Sequence, residues 1–212
     1  MNYLAHALLA DFAAPLRAGS ATGDFFKGPL APDLPADFAR GIRLHRAIDR
    51  YADSHPAFRA SRTRLPANIR RWSGVIVDLY YDHILARQWA DWHPQPLTEF
   101  SQSLYHEIAA YRHLMDEGAQ GACRLMARED WLSGYSTAAG LATTLQRMGR
   151  RVRRENPLAG ADVHLGGDAA GFADDCRAFL VDARAFAVDW LSCQASESAN
   201  PTAPDPAPPD SD

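Results

Sequence analysis

Apolar residues recur along most of this chain at intervals of three and four, not two. Residues 2–12 (NYLAHALLADF) have this spacing, and residues 35–53 repeat it through Phe38, Ile42, Leu44 and Ile48. The longest such stretch, 68–93, contains Trp72, Val75, Ile76, Leu79, Tyr80, Ile84 and Leu85. His93-Pro-Gln-Pro96 interrupts the pattern before another helix predicted over 97–115. Shorter helices are expected at 121–128, 131–136, 137–151 and 167–190. Pro35 suits the first turn of its helix, where the missing N–H costs little. No alternating stretch of useful length and no internal repeat occur. The pattern therefore predicts an all-α fold, a single helical domain over residues 1–193, with irregular loops at 13–22 and 156–167.

Composition adds few constraints. Of 212 residues, 47% are hydrophobic and 23% charged, which is the balance of a soluble globular chain. No apolar run approaches the roughly 20 residues of a membrane-spanning helix. The first sixteen residues have the apolar look of a secretory leader. However, they lack a basic start, and His6 and Asp11 interrupt them, so a leader is not expected. Cys123, Cys176 and Cys193 are odd in number and far apart, which argues against a disulfide framework or a zinc knuckle and fits a reducing cytoplasm. The formal charge is −4, and four of the 26 acidic residues (Glu197, Asp205, Asp210 and Asp212) follow Cys193. The body is therefore formally neutral, unlike a nucleic-acid binder. Residues 194–212, rich in Pro, Ala, Ser and Asp and without a large apolar side chain, are expected to be a disordered tail.

The chemistry is concentrated in the first 83 residues, which hold His6, His45, His55 and His83 with Asp24, Asp49, Asp53, Asp78 and Asp82. His45 and Asp49 are four apart, so on a helix they share a face. Asp78 and Asp82 repeat that spacing, and His83 adjoins Asp82. Carboxylates in so apolar a helix are costly to bury without a compensating cation, so this face is either solvated or holds one. Imidazoles and carboxylates from packed helices, with no thiolate, suit Mn²⁺, Fe²⁺ or Mg²⁺. Lys27 is the only lysine among 22 basic residues and follows Asp24 in GDFFKG. Arg40, Arg43, Arg46 and Arg50 form a stripe on the helix of His45, either a solvated face or a surface for an anionic partner. The run RMGRRVRR (147–154) reads as a solvated helix end. No Ser-His-Asp order, GxGxxG or phosphate-loop pattern is present.

Five blocks, NYLAH (2–6), GDFFKG (23–28), GIRLHRAIDRYADSHP (41–56), VDLYYDHILARQW (77–89) and DWLSGY (130–135), together resemble the bacterial acyl-carrier-protein phosphodiesterases. These are a divergent, all-helical branch of the HD-type metal phosphohydrolases, so the resemblance implies an HD-like helical domain. It extends from residue 1 to about 190. It also implies a Mn²⁺-dependent enzyme that removes 4′-phosphopantetheine from holo acyl carrier protein, a small acidic partner, leaving the apo form. Asp24 matches an aspartate required for activity in the family. His6, His45, Asp49, Asp78, Asp82 and His83 match its recurrent metal-type residues. The order Asp82-His83 reverses the usual adjacent His-Asp pair.

On this reading a divalent ion acidifies a water and polarises the phosphoryl oxygens. Asp24 ligates the metal or orients the water, while Lys27 and Arg46, with Arg43 as a further candidate, offset the developing charge. Two other readings stand beside it: an HD-type phosphohydrolase of nucleotides or small phosphoesters, and an inert helical binding module whose His/Asp set is buried ion pairing.

Overall fold

The computed structural model describes residues 3–152 and 154–199, with side chains as far as residue 194. Among the described residues there are ten α-helices and several 3₁₀ turns and no strand. The helices are α1 (Tyr3–Leu9), α2 (Ala14–Ala21), α3 (Ala36–Ser54), α4 (Pro56–Arg64), α5 (Ser73–Arg87), α6 (Leu97–Tyr111), α7 (Glu117–Arg128), α8 (Trp131–Gly134), α9 (Ala138–Arg151) and α10 (Ala169–Ala199). No described helix is long and apolar enough to cross a membrane.

The all-α expectation holds, and several boundaries move. The expected loop 13–22 is largely helix α2, opened by Pro15 in its first turn. Its small residues, which resemble loop composition, serve a helix crossing instead. A Cβ at Gly19 would lie 2.1 Å from the Phe38 carbonyl oxygen, and one at Gly41 would lie 2.2 Å from that of Leu16. α2 and α3 can therefore touch backbone to backbone only because both positions lack a side chain. The expected helix 68–93 is three pieces, with 3₁₀ turns Ala67–Trp72 and Trp89–Asp91 flanking α5. Pro35 stands one residue before α3 and not within its first turn. Helix α4, not anticipated, buries only Phe58 and Ser61, too little to show a period. The second expected loop, 156–167, ends in the 3₁₀ helix Ala161–Asp168. α10 continues to Ala199, past the expected boundary at 193, and the rest of the expected tail, 200–212, lies outside the described residues.

α5 is the hub. It packs against α1, α4, α9 and α10. Its buried residues include Ile76, Val77, Leu79, Tyr80, Tyr81, Ile84 and Leu85, so it is apolar nearly all round, as a central helix must be. α1 lies against α2, α5 and α10 and is buried from Leu4 to Leu9, His6 included. An imidazole held in that environment needs polar partners, and these come from α3.

Candidate metal centre

α3 places His45 and Asp49 one turn apart, and α1 brings His6 against them. His6 Nε2 lies 3.1 Å from Asp49 Oδ1, and His45 Nε2 lies 3.2 Å from Asp49 Oδ2. One carboxylate thus faces both imidazoles, whose rings stack with centroids 3.8 Å apart. One ligand atom from each of the three residues falls within 4.8 Å of the others. Asp24, on the 3₁₀ turn Gly23–Phe25, completes the group with Oδ1 at 3.7 Å from His45 Nε2. A Cβ at Gly23 would lie 2.4 Å from the His45 ring, so glycine is what lets this turn approach.

The tautomer of His45 bears on what the site can hold. Its Nδ1 sits 2.8 Å from the Ser20 carbonyl oxygen, which can only accept, so Nδ1 carries the proton. In the neutral ring the Nε2 lone pair then points at two carboxylates, an acceptor facing acceptors. A second proton or a metal ion resolves this. Burial alone would lower the His45 pKa, but hydrogen bonding to Asp24 and Asp49 outweighs it and raises the pKa. His6 behaves oppositely: burial, reinforced by the charge of His45, pushes it down to about 3, so it stays neutral. Its Nδ1 has no hydrogen-bond partner among the described residues. Hydrogen bonding to His45 holds Asp24 well below the usual carboxylate range against some burial. Burial would raise Asp49, but its bonds to His45 and His6 prevail and lower it. Two imidazole nitrogens and one or two ionised carboxylates fit a divalent transition ion with open positions.

Beside this group lies a cavity of about 330 Å³, lined on its polar side by Asp24, Asp49, Asp53 and Asp78. Asp78 therefore joins the site from α5. Burial raises its pKa, and the charges of Asp49 and Asp24 raise it further. Asp53, on the same helix as Asp49, was not among the expected site residues.

The structure does not bring Asp82 and His83 to this group. Asp82 is fully buried and accepts the backbone N–H groups of Leu4 and Ala5 at 2.9 Å each, so it caps the first turn of α1. His83 donates from Nδ1 to the Tyr135 carbonyl oxygen at 2.6 Å and tethers the end of α8. Arg46 does not line the cavity. It donates to the Phe26 carbonyl oxygen at 2.7 Å and so holds the Asp24 turn in place. Lys27 reaches Asp24 Oδ1 at 3.3 Å from the solvent side. The arginine stripe is divided, since Arg40 bonds the Leu191 carbonyl oxygen and only Arg43 and Arg50 are left exposed on it.

The chain is similar in sequence to curated acyl carrier protein phosphodiesterases. A curated acyl carrier protein phosphodiesterase of Yersinia pestis is 32% identical over 76% of this chain and 84% of its own length. That of Photorhabdus laumondii is 31% identical over 76% of this chain and 82% of its own length. One from Escherichia coli O6:H1 is 30% identical over 74% and 82%. No solved structure matches the chain. Residues 1–183 match the family described as acyl carrier protein phosphodiesterase, and the chain belongs to that family.

Proposed function

We propose that this protein hydrolyses the phosphodiester between 4′-phosphopantetheine and the serine of holo acyl carrier protein, using a divalent cation, Mn²⁺ foremost, with Mg²⁺ and Fe²⁺ as the alternatives. The observation that carries the reading is the His6–His45–Asp49 group, with two imidazole nitrogens turned onto one carboxylate beside an acidic cavity. The names of the relatives supply the substrate.

His6, His45 and Asp49 would hold the cation, with Asp24 at its edge. The ion supplies an acidified water and a Lewis acid for the phosphoryl group. The chain's residues do the rest. The Ser20 carbonyl fixes the His45 tautomer so that Nε2 faces the site. Asp24, kept ionised, would ligate the cation or orient the attacking water. Arg46 holds the Asp24 turn, and Lys27 adds positive charge at the mouth, where the leaving serine oxygen or phosphate departs. Exposed Arg43 and Arg50 offer charge to an acidic protein substrate, so binding weakens as salt rises.

The direct test is incubation with holo acyl carrier protein and Mn²⁺, with intact-mass analysis of both products. Release of phosphopantetheine that stops on chelation is expected, and full activity after exhaustive chelation removes the metal reading. Asp24→Ala is expected to lower turnover by at least about a hundredfold with the fold intact by circular dichroism. Asp91→Ala, at an exposed pair with Arg177, is the control with little effect.

A pH dependence follows from His45. Because its pKa is raised in the folded chain, pairing with Asp24 and Asp49 stabilises the metal-free protein below the ordinary histidine value and is lost as pH rises through the folded value. Metal competes with that proton. The rise in melting temperature on adding Mn²⁺ is therefore expected to be larger near about pH 8 than near about pH 6. An equal rise at both would place the ion elsewhere.

A further inference from the structure

A second cavity, of about 170 Å³, meets the acidic one at Asp24 and Met148, which line both. Its character is opposite: its walls are Tyr3, Phe25, Trp131 and Tyr135, with Arg147 and Arg151 from α9. The two guanidiniums lie over the Trp131 ring at 5.0 and 6.0 Å from its centroid. Tyr3 and Phe25 stack at 6.2 Å. The Tyr3 hydroxyl lies close enough to Arg151 and Asp24 to feel both charges. The run 147–154, expected to be a solvated helix end, thus lays two arginines on an aromatic wall beside the candidate catalytic carboxylate.

A phosphodiester carries one arm on each side of phosphorus. With the phosphoryl group at the acidic site, one arm can leave along the adjoining slot, which shares Asp24 and Met148 with it. At about 170 Å³ the slot has room for part of a single flexible chain and not for a carrier-protein helix. Aromatic faces pack against methyl and methylene groups, while fixed arginine and tyrosine donors meet amide carbonyl oxygens. We propose that this slot binds the pantetheine arm of the substrate, with Trp131 and Phe25 as its apolar walls and Tyr3, Arg147 and Arg151 as donors to its amide oxygens. The assignment rests on the substrate reading above.

The full chain is titrated calorimetrically with 4′-phosphopantetheine and, separately, with inorganic phosphate, which lacks the arm. Phosphopantetheine is expected to bind at least about tenfold more tightly and to quench tryptophan fluorescence. Thr144→Phe, on the slot wall contributed by α9, fills the space and abolishes that preference. Arg151→Gln, at an exposed position, reduces it by about tenfold and carries the test if the first variant does not fold. With holo carrier protein, Arg151→Gln raises KM more than it lowers kcat. Equal affinity for the two ligands in the wild type, or a preference that survives both folded variants, overturns the slot. Slot-dependent binding without release of phosphopantetheine from holo carrier protein supports the slot and removes the catalytic reading. Release without slot dependence does the reverse.

Discussion

Asp49→Ala is expected to lower turnover on holo acyl carrier protein by at least about a thousandfold, the upper end of what removing one positioned electrostatic group costs. Both oxygens of Asp49 are engaged, one by each imidazole, so the substitution removes one proposed ligand and the anchor of the two other proposed ones at once. Its effect should therefore exceed that of Asp24→Ala, because Asp24 touches only His45 of the pair, at 3.7 Å. The fold should survive. The Asp49 side chain is 38% exposed, so water can enter the space it leaves and meet His45 Nε2. The measurements are turnover with saturating Mn²⁺, metal content after dialysis and the circular dichroism spectrum. A folded Asp49→Ala protein that retains both metal and turnover would show that the His6–His45–Asp49 group is only an internal ion pair.

Asp82→Ala is expected to act on stability instead. The carboxylate is fully buried and satisfies two backbone N–H groups at the start of α1. Removing it strands both donors, each worth about 1–3 kcal/mol when buried and unpaired. An opposing effect reduces the loss: burial pushes the Asp82 pKa up to about 7, against the pull of the Leu4 and Ala5 amides. A raised carboxyl pKa means that stability from the protonated form is lost as pH rises from the unfolded value toward about 7. Near neutrality the ionised group therefore carries a desolvation cost that alanine escapes. Below the unfolded carboxyl value that cost is absent, and the two stranded donors leave a loss of about 3 kcal/mol, or about 6–12 °C in melting temperature for a chain of this size. The loss, wild type minus variant, should therefore be larger at low pH and shrink as pH rises toward about 7, which a melting series across pH measures directly. Unchanged melting with lost metal would return Asp82 to the ligand set. Because α1 carries His6, some loss of activity should accompany unfolding of the first turn and be relieved by lower temperature.

Asp78 and Asp82 show why a motif alone could not assign these roles. They are four residues apart on one helix and look equivalent in sequence, yet one lines the acidic cavity and the other caps α1. Helical spacing puts them on one face a turn apart, and only the elements packed against each turn give them different partners. Arg46 makes the same point: a stripe of arginines announces charge, but not that one member ends on the Phe26 carbonyl. The basic run at 147–154 held no hint of the aromatic wall, since Trp131 and Tyr3 come from elsewhere in the chain.

The sequence by itself determined the helical class, most helix positions, and the pairing of His45 with Asp49, because all of these depend on neighbours within four residues, whose relative placement the backbone period fixes. The small-residue helix α2, the approach of His6 from α1 and of Asp24 from its 3₁₀ turn, the diversion of Asp82 and His83 to structural tasks, and the slot beside Asp24 were decided only by the tertiary structure. Each of these depends on which surfaces meet, and that follows from close packing of whole helices around α5, for which no local period in the chain is a sign.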